Sequence, residues 1–311
     1  MSRSDEVTAW LLAGDPVIRW QAMRDLADAP VEDWQAVRRG TLTEGWGAAF
    51  LGAMGENHKW SRGRWTDTVW TLLLVMDCGL PADDPRLREA ARQFIDTNLT
   101  PERAASEKWL LTRMDLCQLG FWLRIGSYFL GADPRLRQVG DVVSRVQMDD
   151  GGWNCQIRNY PDTHHSSFNT TFNVLEGLRE GVAAGNVDRG AFRAYEARAL
   201  EFMLMHKLYR SDRTGDVIRQ RFTHLTYPSH WHYTVLRALD YMRSAPEVAD
   251  PRLDDPLGLL ISRRKDNGRW ITEKRIPGVT LFDMEKFGGE SRWNTLRALR
   301  VLKARAAARR R

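Results

Sequence analysis

One turn limits what this chain can become more than any other stretch: Gln147-Met148-Asp149-Asp150-Gly151-Gly152-Trp153. Paired glycines permit a sharp reversal, and the tryptophan that follows carries a large apolar surface suited to burial. The turn recurs as Asp266-Asn267-Gly268-Arg269-Trp270, and more loosely as Arg62-Gly63-Arg64-Trp65 and Glu44-Gly45-Trp46. A second punctuation mark is Asp84-Pro85-Arg86-Leu87-Arg88, repeated as Asp133-Pro134-Arg135-Leu136-Arg137 and Asp250-Pro251-Arg252-Leu253. In each, Asp can cap the free amides of a first helical turn while Pro takes the first helical position, where no N–H is needed. These openings predict amphipathic outer helices running to about Asn98, Gln147 and Arg264.

Between them lie more apolar segments. Asp15-Pro16 opens a helix with Val17, Trp20, Met23 and Leu26 at three-residue spacing. Pro30 closes it, Val31 begins another that ends near Gly40, and EGWGAAFLGAMG follows. The predicted inner helices are 16–28, 64–78, 110–130, 166–180, 229–243 and 291–303; the last two share Trp, Thr and Leu-Arg-Ala-Leu. Helix pairs repeating every ~45–60 residues, with no sustained strand-like alternation, mean an all-α chain of stacked helical hairpins.

The turn Gln147 to Trp153 resembles the QW repeat of the terpenoid cyclase and protein prenyltransferase superfamily. The chain is similar to stand-alone bacterial squalene-cyclase-like proteins with prenyltransferase and squalene oxidase repeats. That resemblance implies an α6/α6 toroid over residues 1–311: a closed ring of six hairpins whose inner helices surround a central cavity. The motif is complete once, and Trp270 ends an altered copy. The Asp-x-Asp-Asp acid of class II terpene cyclases is absent; Asp149-Asp150 falls inside the turn and Asp83-Asp84 at a helix cap, both structural positions.

The resemblance to the prenyltransferases also implies a zinc site. In that family Asp and Cys of an Asp-x-Cys hold zinc together with a histidine from the next inner helix. Asp115-Leu116-Cys117 matches the first part, His165 of the pair His164-His165 lies in the right region, and Cys155 is a further donor. Thiolate, imidazole and carboxylate are the donors a tetrahedral zinc ion takes. Arg113 echoes basic residues that bind diphosphate in the family. Two positions depart from the pattern: Gln118 replaces an aromatic residue, and helix alignment puts Thr170 at the histidine position. Without a metal, Cys117 reads as a small buried hydrophobe and the histidines as surface or capping residues.

A second cluster lies in 214–233. Arg219, Arg221, His224 and His230 lie in or just after the loop ahead of inner helix five, and arginine forks suit phosphate or carboxylate; solvated loop charges are the other reading. His232 lies just beyond, and Asp283 and Glu285 occupy the loop before helix six, where they can act as acid or base or pair with the arginines. Trp122, Phe172, Trp231 and Trp293 fall on inner helices, where aromatic faces either stabilise a cation in a dry cavity or fill the core.

Composition narrows the rest. Hydrophobic residues make up 43% and charged residues 28% of 311, with no linker-like segment, which favours a single large core. No apolar run reaches the length of a membrane span or secretion signal, so a cytoplasmic location is expected, with at most peripheral membrane contact. Three cysteines, an odd count, argue against a disulfide framework. The net charge of +6 owes much to the basic tail 303–311, KARAAARRR, read as a solvated helix end; nucleic acid is not an expected partner. Two functional classes remain open. One is an enzyme acting on an isoprenoid or similarly hydrophobic substrate by cyclization, isomerization or prenyl transfer, with zinc as the implied cofactor. The other is a non-catalytic toroid that binds a protein or lipid.

Overall fold

Helices account for most of the chain in the computed structural model, which describes residues 3–55 and 63–310, and the protein is all-α. The chain divides into two compact units. One comprises Met1–Ala53, Asp77–Pro81 and Leu204–Arg311; the other comprises Met54–Met76 and Ala82–Met203. No described helix is long and apolar enough to cross a membrane.

In the second unit α5 (Thr68–Cys78, up to Met76) is followed by α6 (Pro85–Asn98), α7 (Pro101–Ala105), α8 (Glu107–Arg113) and α9 (Leu116–Leu130). After these come α10 (Pro134–Arg145), α11 (Phe168–Ala184) and α12 (Arg189–Met205, up to Met203). The Asp-Pro openings cap as their chemistry requires: Asp84 Oδ1 accepts the Arg86 N–H at 3.0 Å and Asp133 Oδ1 that of Arg135 at 2.8 Å. The arginine two residues on then folds back onto the same carboxylate, so the cap is also an ion pair. α9 and α11 touch backbone to backbone. A Cβ on Gly120 would stand 2.5 Å from the Asn173 carbonyl oxygen, and one on Gly177 2.3 Å from that of Gly120.

The first unit contains α1 (Arg3–Leu12), α2 (Pro16–Asp25), α3 (Val31–Gly40), α4 (Gly45–Ala53), α13 (Val235–Met242), α14 (Asp254–Ser262) and α15 (Arg292–Ala308). Its short strands β1 (Trp270–Ile271) and β2 (Glu290–Ser291) pair antiparallel. The same caps recur: Asp15 Oδ1 accepts from Val17 at 2.9 Å and Asp250 Oδ1 from Arg252 at 2.8 Å. Within this unit the last helix packs on the first ones. Arg292 donates to the Trp10 carbonyl at 3.1 Å, and Arg300 reaches Gln21 Oε1 at 2.9 Å and clasps Asp240. Arg297 completes that pairing at 3.0 Å, leaving Asp240 a buried carboxylate between guanidinium groups.

Several boundaries differ from expectation. The segment 110–130 is broken after Arg113, because Asp115 takes extended backbone as the N-cap of α9 and gives its N–H to Gln118 Oε1 at 3.1 Å. The helix expected over 229–243 begins only at Val235, where the Thr234 side chain accepts the Arg237 N–H. From Asp250 a 3-10 turn, Pro251–Leu253, leads into α14. In the turn expected over 59–65, Gly63 has φ +77°, and residues 59–62 lie outside the described part. The basic tail is solvated in part: Lys303, Arg309 and Arg310 are exposed, whereas Arg305 is buried. α15 continues to Ala308, the Arg305 guanidinium bonds Val248 O at 2.5 Å and Asp254 at 2.7 Å, and Lys303 pairs with Asp28 at 2.8 Å.

Candidate functional site

Two places bring chemically active groups together, and in each a tryptophan turn fixes the local frame. Trp153 donates its indole N–H to Val143 O at 2.8 Å and its backbone N–H to Thr171 Oγ1 at 2.9 Å. Cys155 follows two residues later, at the start of a 3-10 turn, Cys155–Arg158. Trp270 donates in the same way to Leu260 O at 2.8 Å and Thr295 Oγ1 at 3.0 Å, and Thr272 follows two residues later.

Beyond Trp270, within the first unit, a cavity of about 50 Å³ is lined by Tyr227, His230, Thr272, Phe282, Asp283 and Glu285 together with apolar neighbours. That is room for a few waters or the end of a larger molecule. Glu285 Oε1 accepts the Trp293 N–H at 3.0 Å, and Oε2 accepts from the Ser291 hydroxyl and, at 3.4 Å, from Thr272. Burial nonetheless raises its carboxyl above the ordinary glutamate range, against the pull of these donors. The Tyr227 and Trp293 rings stack at 4.4 Å. Both the Tyr227 hydroxyl and the Trp293 indole N–H are buried with no hydrogen-bond partner among the described residues.

Of the other expected catalytic residues, Asp283 lines this cavity from an exposed position, paired with Arg275 at 2.8 Å. His232 does not line it; its ring stacks on Trp231 at 4.0 Å and its Nδ1 meets the Ser229 carbonyl at 3.2 Å. Burial, with Arg221 and Arg237 nearby, pushes the His232 pKa down to about 4. Burial, with His232 and Arg237, takes His230 to about 3, so both rings are neutral near pH 7.

The expected head-group residues stand apart from the cavity lining. Arg219 and Arg221 are exposed at the 3-10 turn Gln220–Thr223, where partial desolvation of the Arg221 guanidinium and the neighbouring Arg219 charge lower the Arg221 pKa. His224 is half-buried, and that burial lowers its pKa. In the second unit Arg113 is exposed at the end of α8. Trp122 and Phe172 are core residues there, Trp122 stacking on Trp109 at 6.4 Å.

The expected zinc ligands gather only in part. Cys155 Sγ lies 3.3 Å from Cys117 Sγ, receives the Cys117 N–H at 3.4 Å, and meets the Thr170 hydroxyl at 3.3 Å. The Cys117 side chain, with Thr170 and the Cys117 amide, lowers the Cys155 thiol to about 7, against burial and the charge of Asp115. Asp115 pairs with Arg158 at 3.2 Å. His165 is exposed, its carbonyl accepting from Asn154 at 2.7 Å, and His164 is exposed beside it. Among the described residues no three or more His, Cys, Asp or Glu side chains are grouped so as to hold one metal ion. Asp115, Cys117, Cys155 and His165 are therefore not grouped as the four donors of a tetrahedral zinc site.

Tyr227, Thr272 and Phe282 were not candidates from sequence, whereas His230 belongs to the cluster expected over 214–233. Their cavity forms from three separated segments, and the buried, unbonded Tyr227 hydroxyl and the perturbed Glu285 carboxyl mark it as more than packing. No protein-family model, no curated protein and no solved structure matches this chain significantly.

Proposed function

We propose that this protein is a toroid of the terpenoid cyclase and prenyltransferase type, acting on an isoprenoid or similarly hydrophobic substrate whose reacting end enters the Tyr227–Glu285 cavity. The observation that carries this reading is a shielded carboxyl group facing a cavity walled by aromatic rings. Chemically, Glu285 gives its proton to a terminal alkene, forming a tertiary carbocation beside the aromatic faces of Tyr227 and Phe282. Loss of a proton from a neighbouring carbon back to the Glu285 carboxylate returns an isomerised or cyclised hydrocarbon and the enzyme in its starting state. The buried Tyr227 hydroxyl is available to a polar group of the substrate, and Arg219 and Arg221 on the same unit to an anionic head group.

The test is to incubate the protein with farnesyl diphosphate and with squalene, and to analyse the extract by gas chromatography and mass spectrometry. Isomerised or cyclised product is expected, with Glu285→Gln reducing it at least 100-fold while circular dichroism stays unchanged. Binding without turnover, seen as a change in tryptophan fluorescence, would instead favour the non-catalytic toroid. Neither binding nor product with either compound rejects the substrate class.

A further inference from the structure

Cys117 and Cys155 are 38 residues apart in sequence, yet their sulfurs stand 3.3 Å from one another. They come from different elements. Cys117 belongs to the first turn of α9, whereas Cys155 heads a four-residue 3-10 turn in the loop between Trp153 and α11. Two donors face the Cys155 sulfur, the Cys117 amide at 3.4 Å and the Thr170 hydroxyl at 3.3 Å, and both stabilise negative charge there. Access is graded in the same order: Cys155 is half-buried, Cys117 is 8% exposed, and Cys78, the remaining cysteine, is fully buried.

We propose that Cys155 and Cys117 form a reversible thiol–disulfide pair, oxidised by low-molecular-weight disulfides of the glutathione class, with Cys155 as the attacking thiol and Cys117 as the resolving one. In the first step the Cys155 thiolate attacks one sulfur of the small disulfide. A mixed disulfide forms on Cys155, and the other half leaves as a thiolate that takes up a proton. In the second step Cys117 loses its proton to solvent and attacks the Cys155 sulfur, expelling the second small thiol and closing the Cys117–Cys155 bond. The protein gives up two protons and two electrons, and one small disulfide becomes two small thiols. Closing the bond requires the sulfurs to approach by roughly 1 Å, to the usual S–S length, a shift within reach of a short loop turn.

The test uses the full chain in its native state, equilibrated in mixtures of oxidised and reduced glutathione, then unfolded in guanidinium chloride with iodoacetamide so that every remaining thiol is alkylated, and mapped by peptide mass spectrometry. Two of the three thiols should become unreactive together, a Cys117–Cys155 cross-linked peptide should appear, and excess reduced glutathione should restore both. In Cys117→Ser, glutathione should remain attached to Cys155 as a lasting mixed disulfide. The wild-type result stands without any variant. Three alkylatable thiols persisting in the most oxidising buffer, glutathione adducts without the cross-link, or a cross-link formed only in urea would each overturn the proposal.

Discussion

Trp153 and Trp270 make the same pair of hydrogen bonds: each indole N–H reaches the carbonyl ten residues upstream, and each backbone N–H reaches a threonine hydroxyl on a following helix. The turns behind them also match, with Gly151 and Gly268 at φ +97° and +83°. Gln147 and Arg264 each bond the carbonyl four residues on. Losing the indole while keeping an aromatic ring should cost each site about 2–3 kcal/mol, from an unpaired carbonyl and a small void. Urea denaturation of Trp153→Phe and Trp270→Phe, with Thr171→Val and Thr295→Val costing about 1 kcal/mol each, checks this.

Asp240 is the most heavily committed carboxylate of the first unit. Burial raises its pKa, but Arg300 and Arg297 outweigh that and hold it well below the ordinary carboxylate range. Asp240→Ala leaves Arg297 and Arg300 buried without this partner, and a loss of about 3–5 kcal/mol is expected in chemical denaturation. The sign with pH follows from the depressed value. The stabilisation is present above the unfolded carboxylate pKa and is lost as pH falls below about 4, so the difference between wild type and Asp240→Ala should narrow in acid.

His230 and His232 set a second acid limit, one that begins at higher pH. Their folded values, about 3 and about 4, lie below the ordinary 6.5. The unfolded chain therefore takes up protons first, and stability falls as pH drops through 6.5 toward those values. The slope per histidine is about 1.4 kcal/mol for each pH unit. Urea midpoints measured at pH 7 and pH 5 should separate less in a His230→Gln, His232→Gln double variant than in wild type.

Glu285 and Asp283 occupy the same loop but should differ in consequence. Asp283 is exposed and paired with Arg275, so Asp283→Asn should leave turnover within about threefold, whereas Glu285→Gln removes the proposed proton donor and should abolish it. Because burial raises the Glu285 pKa, turnover should be highest at low pH and fall as pH rises past a midpoint above 4.5. A pH–rate profile that is flat from pH 5 to 8, or equal losses in the two variants, contradicts the assignment.

The parts of the fold legible in sequence are those made by neighbours in the chain. Asp15, Asp84, Asp133 and Asp250 cap helices through amides two residues away, so residue order alone announces them. The tryptophan turns were legible for the same reason. The break before Asp115 was hidden, because leucine-rich flanks on both sides continue the helical pattern across it. The docking of Arg305 was hidden too, since Val248 and Asp254 lie more than fifty residues upstream. Each of the two candidate sites was legible in part: Glu285 and the two cysteines stood out by residue type and Thr170 by its place on its helix, but Tyr227 is ordinary until the chain folds.

The contact between Gly120 and Gly177 leaves α9 and α11 a single alignment. A carbonyl oxygen already stands where a methyl group would go, so sliding one helix along the other by even one residue, ~1.5 Å, drives the side chains adjoining these glycines into the opposing backbone. Cys117 precedes Gly120 on one helix and Thr170 precedes Gly177 on the other. The glycine seam therefore works as a gauge block, holding the offset between thiol and hydroxyl without touching either.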